Sequence, residues 1–467
     1  MKTAIEALRR GIPAQRVLTE PADVMSFSFD ASFGTHAPDV VCQPLSTEEV
    51  VHIVQVANAY NLPIVPRGRG TCLSGGPLAV HGGIVLDFSL WDTTLVISPD
   101  DLTATVSPGV LTKAIDDAAK AHGLMYPPDP SSSHVATIGG NLAENAGGPK
   151  GLKYGVTKDY VLGLEIVTAD GRVVRTGGQT VKNVTGYDLT KLIVGSEGTL
   201  AIITEATLRL IPRPLAQKTA LVVFDTIVDS GRAISSVLTS GVLPSKMEIM
   251  DRACIRAVEA YEPLGLPVDA AAILLVELDG HPLALEDEMK IVKGACESVG
   301  ARSITIAQTE EEAAELWYAR KLVSPAIVRI KPTKISEDAT VPRSQIPAMF
   351  EALERIRHTY DIELVIFGHA GDGNLHPNIL ADARDPEEMK RVERAVEAIF
   401  DEALRLRGTL SGEHGIGTMK APFLANELGE DGVWLMKRMK EAWDPNGLLN
   451  PGKLFAPPGT KLVLRDE

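Results

Sequence analysis

Apolar positions along this chain fall alternately into short runs and helical stripes. Val40-Val41-Cys42 is a short apolar run, and Ser46 with Glu49 three residues later makes a capping-box start. Val50, Ile53, Val54 and Ala57 then recur at helical spacing. Leu62 to Pro66 returns as a strand, and Ile84 to Phe88 is another, so residues 39–110 form an α/β unit. Ile211-Pro212-Arg213-Pro214 marks a domain boundary. Beyond it, strands at Ala220–Phe224 and Ala272–Leu278 alternate with helical stretches as an α+β layer. Ile362 to Phe367 reads as a buried strand, with Leu375 onward returning as its partner. A helix opens at Pro386 behind the N-cap Asp385, with Val392, Val396 and Ile399 facing its core and Gly408 past its end. Residues 421–443 are helical again, and Asp444-Pro445-Asn446-Gly447 turns the chain into its tail.

Glycine punctuates the first half in three places. Arg67-Gly68-Arg69-Gly70-Thr71-Cys72-Leu73-Ser74-Gly75-Gly76 leads from one strand into another. A dinucleotide fingerprint or a P-loop leads into a helix instead, and this segment lacks both the G-x-G-x-x-G spacing and the Walker lysine. Its successive backbone N–H groups suit an anion-binding nest; the alternative is a glycine-rich surface turn. The second region runs from Pro127 through Ile138-Gly139-Gly140-Asn141 to Asn145-Ala146-Gly147-Gly148 and Tyr154-Gly155, and the third is Gly195-Ser196-Glu197-Gly198-Thr199-Leu200. Three separated loops of this kind suit a long ligand that needs close backbone approach at several points.

The second half carries a different chemistry. If Gly371 to Asn374 form a four-residue hairpin loop, His369 opposes His376, and opposed side chains share a face with Cβ atoms about 4.5–5.5 Å apart. That span suits two imidazoles on one metal ion, against the alternative of two ordinary hydrogen-bonded histidines. In this register Asn378 shares the face of His376. Gly412-Glu413-His414-Gly415 adds a carboxylate and a further imidazole. Two His and one carboxylate leave coordination positions open, the mark of a catalytic site.

Composition narrows the field. A chain of 467 residues is long enough for two or three domains. Its net charge of −15 argues against nucleic acid or an anionic membrane as partner, though a few local cations still suffice for a small anion. The four cysteines, Cys42, Cys72, Cys254 and Cys296, make no C-x-x-C, which argues against an iron–sulfur or zinc-thiolate site and suits a reducing compartment. Residues 1–10 are charged throughout and contain no signal-peptide core, and no stretch approaches the ~20 apolar residues of a membrane span. Cytoplasmic location is the expectation.

Pro66-Arg67-Gly68-x-Gly70-Thr71-x-x-Ser74-Gly75-Gly76, with Asn145-Ala146-Gly147-Gly148 and the Gly195–Leu200 run, resembles the FAD-binding domain of the vanillyl-alcohol-oxidase-type (PCMH-type) flavoproteins. Phe367-Gly368-His369-Ala370-Gly371-Asp372-Gly373-Asn374-Leu375-His376-Pro377 and Gly412-Glu413-His414-Gly415-Ile416-Gly417 resemble the C-terminal domain of FAD-linked 2-hydroxy-acid dehydrogenases, the glycolate oxidase and D-lactate dehydrogenase group above all. The resemblance runs from about Pro38 to Phe455; Ala201 departs from it where Gly is usual. It implies an α+β architecture: an N-terminal helical segment (1–37), a PCMH-type FAD-binding domain of two α/β subdomains (38–214), a substrate and metal-binding cap with an antiparallel sheet (215–420), and a C-terminal helix and tail returning to the FAD domain (421–467).

For the cofactor, the resemblance implicates Pro66, Arg67, Gly68, Gly70, Thr71, Ser74, Gly75 and Gly76 in the first loop. It adds Pro130, Ser131, Thr137, Gly139, Gly140, Asn141, Asn145, Gly148, Tyr154 and Gly155 in the second, then Glu197, Gly198, Ile203, Asn450 and Lys453. The first loop has no histidine for covalent attachment, so FAD is expected to be noncovalent, with Cys72 a small filler. His369, His376 and Glu413 match the family's divalent-metal ligands, Zn²⁺ being favoured over Mn²⁺ or Fe²⁺ for such a set. His414 matches the catalytic base. Trp317-Tyr318-Ala319-Arg320 supplies a substrate-binding arginine, Ser324 lies one helical turn further on, Lys334 is a second carboxylate-binding cation, and Asn378 is nearby. The implied activity is oxidation of a glycolate- or D-lactate-type 2-hydroxy acid to the 2-keto acid. Electrons would leave to a separate acceptor: an iron–sulfur subunit, an electron-transfer flavoprotein or a quinone. The chain would then act as a homodimer or within a complex, peripheral to the inner membrane face through its partner. The alternatives are a D-2-hydroxyglutarate dehydrogenase-like enzyme and, in a different class, a non-catalytic FAD-binding subunit.

Overall fold

The computed structural model describes residues 1–457 and 459–464. In the first half, the α/β unit folds as a four-stranded sheet in the order Val17–Leu18, Val40–Cys42, Ile84–Asp87, Ile64–Arg67. Its last three strands are parallel, and the crossover helix Thr47–Tyr60 begins where the pattern placed it, with the Ser46 hydroxyl accepting from Glu49 N–H. Val50, Ile53, Val54 and Ala57 are fully buried against this sheet. Beside it lies an antiparallel five-stranded sheet in the order Leu95–Ser98, Thr103–Val106, Ile202–Arg209, Val161–Val167, Val173–Gly177.

The second glycine-rich region is not all loop. Ile138–Glu144 is a helix, capped by the Thr137 hydroxyl and closed by Asn145 in the left-handed conformation. Glycine lowers local helix propensity, yet burial of Ile138 and Leu142 in the core of the second sheet overrides it.

The second half is built on an eight-stranded antiparallel sheet. Its order is Ala301–Ile306, Ala216–Phe224, Ala272–Gly280, Lys246–Asp251, Glu363–His369, Asn374–Ala381, Thr333–Ser336, with Ala339–Thr340 also pairing Asn374–Ala381. Period-two alternation divides the side chains between two cores. Val222, Ile249 and Ile366 meet helices Ile227–Thr239, Ile346–Tyr360 and Pro386–Arg405 on one face. Val223, Met250, Val365 and Phe367 meet Arg252–Tyr261 and Val323–Ile327 on the other. The Asp385 carboxylate caps Pro386–Arg405 by accepting from the N–H groups of Glu387 and Glu388.

The hairpin register differs from expectation. His369 opposes Asn374, and His376 opposes Phe367. The loop is Ala370–Gly373, because Gly373 closes it at φ +87 with no room for a Cβ, which would sit 2.1 Å from the Val341 carbonyl oxygen. The correction is a shift of two residues in pairing. A shift of two preserves which side chains share a face, so both histidines still project to the same side.

The C-terminal helical stretch is a 3-10 turn, Ala421–Phe423, followed by Leu424–Trp443 with a break at Gly429 (φ 70, ψ 165). The tail then returns to the first half: Leu449 bridges Ile64 in parallel, and the Asn450 side chain donates to the carbonyls of Gly76 and Glu197. Among the described residues no helix is long and apolar enough to cross a membrane.

Candidate active site

A cavity of about 1540 Å³ lies between the two halves. One wall is largely bare backbone: Gly68, Gly70, Gly76, Gly140, Gly147 and Gly198 line it beside Pro66, Thr71, Pro130, Ser131, Thr137, Asn141, Glu197 and Asn450. This wall fits a long cofactor held by close backbone approach. Arg67, Gly139 and Ile203 line instead a small second cavity of about 50 Å³ that shares Pro66, Gly68, Thr137, Gly140 and Gly198 with the first. The Arg67 guanidinium is buried, donates to the Phe29 carbonyl and lies over the Phe27 ring, away from the main cavity.

Several residues expected at the cofactor act behind this wall. The Ser74 hydroxyl donates to the His414 carbonyl at 2.9 Å. The Tyr154 hydroxyl donates to Asp279 across the two halves. Asn145 accepts from Lys158 N–H, and Lys453 donates to the Leu78 carbonyl. Gly75, Gly148 and Gly155 hold positive φ in the surrounding turns. The Glu197 carboxylate accepts from the N–H groups of Ile416 and Gly417, each at 2.7 Å, tying the segment that carries Glu413 and His414 to the first half.

The opposite wall carries the charged chemistry. One nitrogen each of His369 and His376 and one oxygen of Glu413 lie within 4.8 Å of one another. Glu413 Oε1 is 3.1 Å from His369 Nε2 and 3.2 Å from His376 Nε2. Burial alone would raise the Glu413 carboxyl, but the two imidazoles hold it well below the usual range. His369 Nδ1 donates to Glu248 Oε1 at 2.5 Å, which aims Nε2 at the cluster. These donors fit a divalent cation: two imidazoles and a carboxylate converge, one imidazole is oriented by an outer carboxylate, and positions remain open toward the cavity.

His414 lies beside this cluster, its ring stacked on His376 at 5.1 Å with 4° between planes. Burial lowers it to about 4, with the approach of Asp338 opposing. Its backbone is fixed by Asp338, one oxygen of which accepts from the N–H groups of Gly412, Glu413 and His414, each at 2.9 Å, and from the Ser411 hydroxyl. Three successive N–H groups around one anion form a nest filled from within the protein.

Arg320, Ser324 and Lys334 line the same cavity as His376, Glu413 and His414. Ser324 does not continue the helix of Arg320, which ends at Lys321; it sits in the separate turn Val323–Ile327, where its hydroxyl accepts from Lys334 Nζ at 3.0 Å. Burial lowers the Lys334 ammonium, and among the described residues no carboxylate pairs with it. Asn378 is fully buried and donates to the His376 carbonyl, holding the strand and not the cavity wall.

Pattern reading missed Glu248, Asp338 and Glu144. Glu248 sits within Met247-Glu248-Ile249-Met250, and a charge amid buried strand positions requires a partner, which was the available signal. Glu144 ends the Ile138–Glu144 helix and accepts from the Cys72 thiol at 3.3 Å.

Comparison with known proteins gives the family and the fold. Residues 213–454 match the family model described as FAD linked oxidases, C-terminal domain, and residues 38–177 match an FAD binding domain. The chain is 47% identical over 442 residues to the glycolate oxidase subunit GlcD of Bacillus subtilis (strain 168), covering 94% of each. It is 32% identical over 455 residues to a D-lactate dehydrogenase of Anaerostipes hadrus, covering 95% of each. Among solved structures, 4-ethylphenol oxidase from Gulosibacter chungangensis shares the fold with a TM-score of 0.79 at 21% identity, over 98% of this chain and 97% of that one. An FAD-binding half of bare glycine backbone and a second half matched over its whole core identify this chain as a member of the FAD-linked oxidase family, an FAD-dependent oxidoreductase acting on CH–OH groups.

Proposed function

We propose that this protein oxidises a small 2-hydroxy acid of the glycolate or D-lactate type to the 2-keto acid, using noncovalent FAD and one divalent metal, best matched by Zn²⁺. One observation carries the reading: His414, the cluster members His376 and Glu413, and the cations Arg320 and Lys334 all border the cavity that Gly68, Gly70, Gly76, Gly140, Gly147 and Gly198 also line, with His369 completing the cluster behind them. The named relatives act on, or are named for, acids of this class.

When bound, FAD accepts the two electrons and the Cα hydrogen of the substrate, and a divalent cation acidifies its hydroxyl. Arg320 and Lys334 hold the carboxylate. Lys334 is suited to this because its only hydrogen-bond partner among the described residues is the neutral Ser324 hydroxyl. His414 takes the hydroxyl proton. Burial keeps its imidazole neutral at pH 7, and its Nδ1 has no hydrogen-bond partner among the described residues. Pro66, Gly68, Gly70, Gly140 and Gly198 supply the close backbone surface for the cofactor.

Noncovalent attachment is supported by the first loop, which has no histidine, and by the state of Cys72. Burial and the neighbouring Glu144 raise its thiol above its usual range, away from the reactive thiolate. The four cysteines lie far apart and make no C-x-x-C, so we assign the electrons to a separate acceptor, an iron–sulfur subunit, an electron-transfer flavoprotein or a quinone. We place the protein in the cytoplasm, bound to the membrane only through such a partner.

The test is anaerobic flavin bleaching across D- and L-2-hydroxy acids, with and without chelator. Glycolate or D-lactate should bleach the flavin, and chelation should slow it. Purified protein that is colourless and gains no flavin on reconstitution overturns the reading.

A further inference from the structure

We propose that Glu248 is a positioning residue that joins the metal site to the substrate's carboxylate site, so that one buried side chain sets both affinities. The inference rests on the metal reading above and goes beyond it by naming what links the two halves of the site.

Glu248 lies mid-strand in Lys246–Asp251, directly opposite His369 on the neighbouring strand. It is fully buried. Both of its oxygens are committed. Oε1 accepts from His369 Nδ1 at 2.5 Å, and Oε2 accepts from Arg320 Nε at 2.8 Å and forms an ion pair with Nη2 at 2.7 Å. The guanidinium is held on its other side by the Phe367 ring, 4.7 Å from its carbon.

A buried ion pair is by itself weak evidence of function, since an apolar replacement is often as stable. Here the partners decide the matter. One is a histidine of the metal cluster, the other a cation bordering the cavity, and among the described residues the carboxylate has no further hydrogen bond. By accepting from Nδ1 it fixes the His369 tautomer that leaves Nε2 free for a cation. By accepting from Nε and pairing with Nη2 it fixes one edge of the guanidinium, which leaves Nη1 for an incoming carboxylate. Both hydrogen bonds draw on one carboxylate, so a cation on Nε2, by changing the Nδ1–H donor, changes the acceptor that holds Arg320. Thermodynamic linkage then requires the reverse effect of equal size.

Glu248→Gln tests this. Glutamine has nearly the same shape but cannot accept from His369 and Arg320 at once without turning an N–H toward one of them. The flavin-loaded full chain is stripped of metal, and Zn²⁺ affinity is measured by competition with a chromophoric chelator. Binding of oxamate, a non-oxidisable carboxylate, is followed by its perturbation of the flavin spectrum, on metal-free and Zn²⁺-saturated protein. The variant should bind Zn²⁺ about 10–100-fold more weakly and oxamate at least several-fold more weakly in both states. Thermal melting and flavin content report separately on folding. Should Glu248→Gln fail to fold, Arg320→Lys keeps the charge and touches no metal ligand. A Zn²⁺ affinity shifted threefold or more in that variant supports the link, and an unchanged one overturns it. If unaltered protein binds Zn²⁺ and Glu248→Gln matches it in both affinities, or loses only Zn²⁺ affinity, the link fails alone. If unaltered protein binds no divalent ion, the metal reading fails and the link fails with it.

Discussion

His376 and His414 stack face to face, their centroids 5.1 Å apart and their planes within 4° of parallel. The two rings have different surroundings. His376 directs Nε2 at Glu413, whereas Asp338 meets His414 only through its backbone N–H. On the proposed function, the pair divides into a ligand and a base. His414→Ala should leave FAD and metal in place and slow flavin bleaching by substrate by roughly 10²–10⁴-fold, the usual range for a general base. Stopped-flow reduction under anaerobic conditions measures it, and bleaching at the normal rate defeats the assignment.

Glu413 is the one carboxylate in the cluster, and its Oε1 lies between both Nε2 atoms. Glu413→Gln removes the charge while keeping the shape. Metal content after dialysis should fall to a small fraction of one equivalent while flavin content is unchanged. Elemental analysis beside the flavin absorbance separates the two; an undiminished metal content excludes Glu413 as a ligand.

Metal uptake should depend on pH with a definite sign. Burial alone would depress the His369 imidazole, but Glu248 and Glu413 outweigh it and hold it well above its usual value. In metal-free protein at pH 7 it therefore carries a proton that an incoming cation must displace. The stability from this raised group is fully present below about pH 6.5, its unfolded value, and is lost as pH rises through the raised folded value. Zn²⁺ affinity should accordingly increase as pH rises toward the raised folded value, by up to about tenfold per unit for each proton displaced, and level off above it. Calorimetry in buffers of different ionisation enthalpy counts the protons. No dependence on buffer means His369 is already neutral.

Local chemistry was readable from sequence; partners distant along the chain were not. Ser46 and Asp385 act on backbone within three residues, and each caps the helix it was expected to cap, whereas the Glu49 carboxylate accepts from Leu45 N–H and pairs with Arg16 instead of closing a capping box. The His369–His376 face survived an error in register because side chains alternate with period two. The turn was misplaced because the role of Gly373 depends on the Val341 carbonyl, which local turn chemistry does not reveal. Gly139 and Gly140 read as loop, yet a helix forms there under tertiary packing. Glu248 and Asp338 stayed hidden for the same reason: a buried acid shows its purpose only once the fold brings up its donors.

Asp338 offers the sharpest test of how the site is held. It is fully buried, one oxygen gathers three backbone N–H groups and a hydroxyl, and Lys420 Nζ lies 3.6 Å away. Burial alone would raise this carboxyl, but Lys420 and the nearby imidazoles hold it below the usual range. Its contribution to stability is therefore present above the ordinary carboxylate value of about 3.9 and lost as pH falls through the depressed one. Asp338→Ala removes the one carboxylate in ion-pair contact with buried Lys420 among the described residues, which costs up to about 3–5 kcal/mol, and frees the N–H groups that fix Glu413 and His414. The variant should unfold at distinctly lower denaturant and lose metal along with flavin reduction. Asp338→Asn keeps one acceptor oxygen and should fall between the two in unfolding midpoint. Equal midpoints for all three proteins would mean that solvent or other groups satisfy these donors, and that the Glu413–His414 segment holds its shape without Asp338.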